Sequence, residues 1–270
     1  MSDQQLIAES VCFIRGKTGQ IPTVGLILGS GLGDFADNLP RPVTLTSASI
    51  PYYPTSTVEG HRGRLVFSTL DSGVTVVAFQ GRVHFYESRE VGTVTYPVRL
   101  AHALGVRTLV ITNAAGGINR EFSPGDLMLI SDQLNLTSEI AHPTLPHPVR
   151  ISADVYDPQL RSMLAEMASS MGIPLHSGVY AGVKGPSYET AAEVEMIRRV
   201  GGDVVGMSTV LEARLAAALG MRVMGISCIT NEATGIGGTK LNHEEVTEVA
   251  NRVRHDFAQL LNGLLIMLAR

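Results

Sequence analysis

Short apolar runs rich in β-branched residues recur along the chain, at residues 23–28, 64–68, 74–79, 108–112, 126–131, 179–183, 203–207 and 222–230. Several show no alternation of polar and apolar positions, the pattern of strands covered on both faces. Segments of helical period lie between them, at about residues 3–16, 91–104, 158–171, 190–200, 210–219 and 243–268. Gly105, Gly172, Gly201 and Gly220 stand just past four of these, where a helix end favours a left-handed residue. The last segment has the clearest period, with Val246, Val249, Ala250, Val253, Phe257, Leu260, Leu261, Leu264 and Leu265 on one face. Strands interleaved with helices predict an α/β fold with a central, mixed, largely parallel sheet flanked by helices. There is no fixed repeat and no Gly/Ser linker, and the Pro- and His-rich stretch 141–148 reads as a stiff surface loop. Residues 1–270 are therefore expected to form one domain.

Composition narrows the class. With 44% hydrophobic and 17% charged residues the chain is not a disordered tail, and its 28 glycines lack the three-residue period of collagen. A formal net charge of -4 gives no global attraction to nucleic acid or anionic membrane, though a local basic site for a small anion remains open. Cys12 and Cys228 are too few for a disulfide framework, and both are expected to be reduced, buried thiols. The opening residues are polar rather than a signal peptide, and the greasy stretch 260–269 is too short to span a bilayer. These features predict a cytoplasmic protein. The histidines show no HxxxH-type spacing, so no metal site is expected.

Seven segments carry candidate chemistry. Gly29-Ser30-Gly31-Leu32-Gly33 follows the first strand, and its glycines let backbone N–H groups approach an anion, with Ser30 beside them. The spacing is neither GxGxxG nor a Lys-bearing phosphate loop, and no acidic residue stands at 46–54 to bind a dinucleotide ribose. In an extended 81–87 segment, Arg82, His84 and Tyr86 would point to one side and present an oxyanion-binding face. Residues 113–117, Asn-Ala-Ala-Gly-Gly, read as a strand-to-loop turn open to a flat or anionic ligand. Thr190 and Glu193 form a capping box, which puts Tyr188 and Glu189 just ahead of a helix. A carboxylate there can accept from a planar NH-bearing ligand or simply partner the helix dipole. Thr209 and Glu212 form a second box, leaving Ser208 at a helix N-terminus that favours anions. Val210 replaces the second Gly of GxSxG, which disfavours a serine hydrolase. Asn231 ends the long strand, and Asn242 with Glu245 makes a third box, with His243 as the first helical residue and inclined to stay neutral.

Together these segments resemble the trimeric purine nucleoside phosphorylases, in register from Gly29 to about Leu265. GSGLG, STVEGHRGRL, GRVHFYE, TNAAGG, GPSYETAAE, VVGMSTV, TN and NHEEV stand where that family has them. The resemblance implies a nucleoside phosphorylase fold, a homotrimer and a place in purine salvage. It also implies no cofactor, only inorganic phosphate as co-substrate, which with a nucleoside gives a free purine and (deoxy)ribose 1-phosphate. By position, Ser30, His61, Arg82, His84, Ser208 and the backbone of Ala114 match the family's phosphate contacts. Tyr86, Met207 and His243 match its ribose contacts, with His243 at the 5′-hydroxyl. Glu189 and Asn231 match the base-reading pair, with Tyr188 and Val205 against the ring. His84, Glu189 and Asn231 are the implied catalytic residues. The segment 136–156, which in the family lends an aromatic to the neighbouring ribose pocket, holds no Phe or Trp. That position falls near Val149, with His142 or His147 as substitutes. Leu211 replaces a common Pro, and Tyr188 a commoner Phe.

The chemistry is consistent with those residue types. Glycosidic cleavage passes through an oxocarbenium-like state, which an ionised phosphate beneath the sugar stabilises and then captures. The protein must supply orientation and fixed donors, with proximity effects worth about 7–11 kcal/mol. A carboxylate at 189 suits the N1–H of hypoxanthine and guanine, not the N1 lone pair of adenine. A mismatch of this kind costs roughly 10⁴ in specificity. Inosine and guanosine are therefore the expected substrates. The alternatives are an activity like that of methylthioadenosine phosphorylases, which carry Asp at the Asn231 position, a non-catalytic purine-nucleoside sensor, and a nicotinamide-dependent oxidoreductase using GSGLG.

Overall fold

A computed structural model of the chain describes residues 2–58, 61–140, 154–236, 249 and 253–269. The chain opens with α1 (Asp3–Arg15), then β1 (Val24–Leu28), β2 (Val43–Thr46), β3 (Arg64–Thr69) and β4 (Thr75–Gln80). Three helical pieces follow: α2 (Phe85–Ser88), α3 (Val91–Val94) and α4 (Tyr96–Leu104). Next come β5 (Thr108–Gly117), β6 (Leu127–Asn135), α5 (Pro158–Met171), β7 (His176–Gly182) and α6 (Ala191–Arg199). The described chain ends with β8 (Val204–Gly206), α7 (Val210–Ala218), β9 (Arg222–Glu232) and α8 (Arg254–Met267).

The strands form one mixed sheet in the order β2-β3-β4-β1-β5-β8-β7-β6-β9, and β9 pairs back onto β5. Strands β5, β9, β6, β7 and β8 therefore close a ring, from which β1, β4, β3 and β2 extend as an open wing. Alternate residues of each central strand enter opposite cores. Ile27, Leu109 and Ile111 pack with Ile7, Leu100, Leu104 and Leu215 from α1, α4 and α7. Leu26, Leu28 and Val110 pack with Leu160, Leu164, Phe257 and Leu261 from α5 and α8. Both faces are covered, which is why these strands read as unbroken apolar runs.

Several expectations are corrected. Strand β2 was not foreseen, because its residues alternate between half-buried and exposed along the sheet edge. The single helix expected over 91–104 is two pieces meeting at Thr95. Pro97 lacks the N–H that would bond back into the preceding turn, and its ring crowds the carbonyl four residues earlier. Residues 113–117 continue β5 instead of turning away. Cys12 is exposed on α1, because the residues α1 buries are Ile7, Ser10 and Ile14; Cys228 is buried as expected, and neither is in a disulfide. Of the terminal helical stripe, Phe257, Leu260, Leu261, Leu264 and Leu265 are buried, whereas Val246 and Ala250 lie outside the described residues. Among the described residues no helix is long and apolar enough to cross a membrane.

Candidate active site

The cleft forms where the sheet changes partner. The first half of β5 pairs in parallel with β1 through Thr108–Ile111, and its last two residues pair antiparallel with β8. The carboxyl ends of β1 and β8 thus approach each other beside Asn113, Ala114 and Ala115. Such a change of strand neighbour at carboxyl ends opens a crevice in α/β sheets. Gly29 closes the end of β1 tightly, its N–H donating to Thr112 Oγ1 at 3.1 Å. A side chain there would sit 2.8 Å from the Thr112 carbonyl, so no other residue fits. On the far side, β9 carries an irregularity opposite Ala115 and Gly116, where the register skips Thr230. This bulge turns the consecutive residues Thr230 and Asn231 to one cleft.

The cleft is lined by Ser30, His61, Arg82, His84, Tyr86, Ala114, Tyr188, Glu189, Val205, Met207, Ser208 and Asn231. Every described residue that the sequence nominated is there; His243, His142, His147, Val149 and the Asn242–Glu245 box lie outside the described residues. The 81–87 segment reaches the cleft by a different route from the one expected. The chain is extended only as far as His84, and Tyr86 sits in the helical turn α2. His61 and His84 stack at 5.5 Å between ring centroids, and His84 stacks on Tyr86 at 5.0 Å, so three rings form one wall. Arg82 runs beneath the cleft floor. Its Nη1 donates to Glu212 Oε2 at 3.1 Å and Thr209 Oγ1 at 3.3 Å, and its Nη2 donates to the Thr112 carbonyl.

Glu87 organises the wall. Its carboxylate accepts the His84 N–H at 2.6 Å, the Thr57 N–H at 2.6 Å and the hydroxyls of Thr57 and Ser56. Burial would raise the Glu87 carboxyl, but these bonds outweigh it and hold the group below the usual carboxylate range. His84 Nδ1 lies 3.1 Å from Glu87 Oε1. Burial, with the nearby charges of Arg82 and His61, drives the His84 imidazole down to about 4 despite that carboxylate. His84 is thus neutral near pH 7, with Nδ1–H given to Glu87 and Nε2 left as an acceptor. Burial also raises Glu189 and Glu212, with Arg82 opposing the shift at Glu212. Beside the β9 bulge, Asn231 Oδ1 accepts the Thr230 hydroxyl at 3.0 Å, and its Nδ2 donates to the Glu232 carbonyl at 3.0 Å.

Sequence reasoning placed Glu212 only in a capping box and Asn113 only in a turn, and gave Glu87 and Tyr180 no part in the site. Glu87 and Glu212 stood three residues after cap positions, but only the fold reveals that each is buried around a site residue. Tyr180 and Asn113, which bond Ser208 and Thr209, carried no separate signal. Among the described residues no group of three or more His, Cys, Asp or Glu side chains is placed to hold a metal ion.

A sheet that splits beside one strand, with hydroxyl, imidazole, carboxylate and amide groups lining the split, makes a cleft for a polar small molecule. The chain belongs to the phosphorylase superfamily, whose pattern matches residues 23–266. It is 47% identical over 266 residues to purine nucleoside phosphorylase 1 of Bacillus subtilis, covering 96% of this chain and 97% of that protein. It is 42% identical over 269 residues to purine nucleoside phosphorylase of Bos taurus, covering 94% and 91%. Among solved structures, Schistosoma mansoni purine nucleoside phosphorylase in complex with adenosine superimposes with a TM-score of 0.89 at 34% identity, over 97% of this chain and 96% of that one. Isoform 2 from the same organism, in complex with cytosine and ribose-1-phosphate, gives 0.87 at 32% identity, with the same coverage.

Proposed function

We propose that this chain catalyses phosphorolysis of inosine and guanosine, and of their 2′-deoxy forms, releasing the purine and (deoxy)ribose 1-phosphate. The observation that carries the reading is the lining of one cleft by two chemically distinct sets, the hydroxyl and imidazole groups of Ser30, His61, His84 and Ser208 and the phenol, carboxylate and amide of Tyr188, Glu189 and Asn231. Phosphate lies against Ser30, Ser208, His61, His84 and the Ala114 backbone, with the Arg82 charge beneath it. His84 Nε2 accepts the remaining P–OH of the phosphate dianion. The sugar lies between phosphate and base, touched by Tyr86 and Met207, and the sequence resemblance assigns His243 to its 5′-hydroxyl. As the glycosidic bond breaks, the phosphate stabilises the oxocarbenium-like sugar and then bonds to it. Asn231 takes up the charge that develops on the purine, and Glu189 accepts N1–H. Val205 and Tyr188 cover the ring.

On this reading phosphate is the co-substrate and the reaction draws on no cofactor. The same proposal has the protein act on small molecules in the cytoplasm, in purine salvage, as a homotrimer of one-domain chains. Mixing the purified protein with inosine, with and without phosphate, tests the proposal. Hypoxanthine should appear only with phosphate, matched by ribose 1-phosphate, and adenosine should turn over far more slowly. No turnover would leave the purine-sensor reading, and phosphate-independent release would make the protein a hydrolase.

A further inference from the structure

We propose that Thr209 is a positioning residue that forces Ser208 to act as a hydrogen-bond donor to the phosphate. The inference rests on the reading of this cleft as a phosphate site. Thr209 is buried beneath the floor, next to Ser208, which faces the cleft. A threonine hydroxyl has one hydrogen and two lone pairs. Asn113 Nδ2 donates to Thr209 Oγ1 at 2.9 Å, and Arg82 Nη1 donates to it at 3.3 Å. Neither nitrogen can accept, so both lone pairs are spoken for. Ser208 Oγ lies 3.1 Å away and is the nearest acceptor for the Thr209 hydrogen; the Tyr180 hydroxyl, itself beside Ser208, also reaches Thr209 but more weakly.

The direction of that bond decides what Ser208 offers the cleft. Having accepted from Thr209, Ser208 keeps its own hydrogen free. The other hydroxyl nearby, that of Tyr180, lies 3.5 Å from Ser208 Oγ and already accepts the Ser208 N–H at 3.4 Å, so it competes weakly for that hydrogen. The oxygens of a phosphate are mostly acceptors. A serine turned the other way would present lone pairs to the anion and repel it.

The backbone carries an independent sign of the same role. Thr209 has φ 71° and ψ -54°, and the Val210 N–H bonds back to the Ser208 carbonyl at 2.8 Å. This is a γ-turn with positive central φ, rare and strained, and a β-branched residue is poorly suited to it. Glycine would fit the turn without strain. What threonine adds is the hydroxyl, and all three of its hydrogen-bonding positions are in use. Glu212 Oε2 accepts the Thr209 N–H at 3.0 Å and binds Arg82, which fixes the turn and the guanidinium together.

The test compares Thr209→Val, Thr209→Ser, Thr209→Gly and Ser208→Ala by steady-state kinetics with inosine and phosphate varied separately. Thr209→Val should raise the KM for phosphate about tenfold or more, the loss of one oriented bond to a charged group. The KM for inosine should stay within about twofold, because that contact is made elsewhere. Thr209→Ser should restore phosphate binding. Thr209→Gly, which relieves the turn and guards against a Val variant that folds poorly, should show the same phosphate defect. Adding Ser208→Ala to Thr209→Val should cost nothing further, since both remove one bond. A normal phosphate KM in Thr209→Gly or Thr209→Val, alongside a raised one in Ser208→Ala, would overturn the positioning role. Equal rises in both KM values that serine fails to rescue would also overturn it. A normal phosphate KM in Ser208→Ala would instead overturn the phosphate reading of the cleft.

Discussion

At the scale of single residues, the chemistry depends on which groups are ionised. Unfolded, His84 takes a proton near the ordinary histidine value of 6.5, whereas in the fold it is held at about 4. The stabilisation from keeping it neutral is complete above pH 6.5, and it is lost progressively as pH falls towards 4. The stability advantage of the wild type over His84→Gln should therefore shrink between those values in urea titrations. A constant difference across that range would contradict the neutral assignment. Glu189 is shifted the other way, raised mainly by burial. Hypoxanthine binding should weaken on acidification earlier than an ordinary glutamate would give, and Glu189→Gln should abolish that pH dependence. On the proposed reading Asn231 sets base choice, since an amide can both donate to a 6-oxygen and accept. Asn231→Asp should shift the ratio of kcat/KM towards 6-aminopurine nucleosides, by about tenfold or more if buried polar mismatch governs. An unchanged ratio would remove Asn231 from the base site.

At the scale of elements, the strands that build the cleft were legible because both of their faces are covered. The edge strand β2 was not, because a half-exposed Val-Thr-Leu-Thr resembles a loop as closely as a strand. The Gly-rich turn at 29–33 and the two capping boxes were also legible, since glycine and cap residues act locally. Their partners act at a distance. The Arg82–Glu212 bond spans 130 positions in sequence, and the skipped residue Thr230 shows only when β9 is laid beside β5. No periodicity encodes either. Gly206 in β8 shows how closely these elements meet, because a Cβ there would collide with the Tyr180 hydroxyl beneath Ser208. Gly206→Ala should destabilise the protein by about 1–3 kcal/mol through overpacking. Tyr180→Phe added to it should recover part of that loss in thermal unfolding. No recovery would mean that the collision lies elsewhere.

At the scale of the whole molecule, the cleft opens beside one strand, β5, which contributes Asn113, Ala114, Ala115 and Gly116 to its lining. Paired with β9 along its length, it joins β1 and the open wing through its first half and β8 through its last two residues. The glycine turn is braced from outside: Arg62 binds both Asp34 and Asp37, Arg64 binds Asp37, and Arg254 from α8 binds Asp34. These pairs are partly exposed, so each contributes little alone, and their use is to hold the loop carrying Ser30 against β3 and α8. Sedimentation equilibrium tests the proposed assembly, with three times the chain mass expected and the mass of one chain contradicting it. The most direct measurement is a crystal structure of the protein soaked with phosphate and hypoxanthine together. We expect the anion within hydrogen-bond reach of Ser30, His84 and Ser208, and the base between Glu189 and Asn231. An anion bound away from those three side chains, or a purine turned from the carboxylate, would contradict the mechanism.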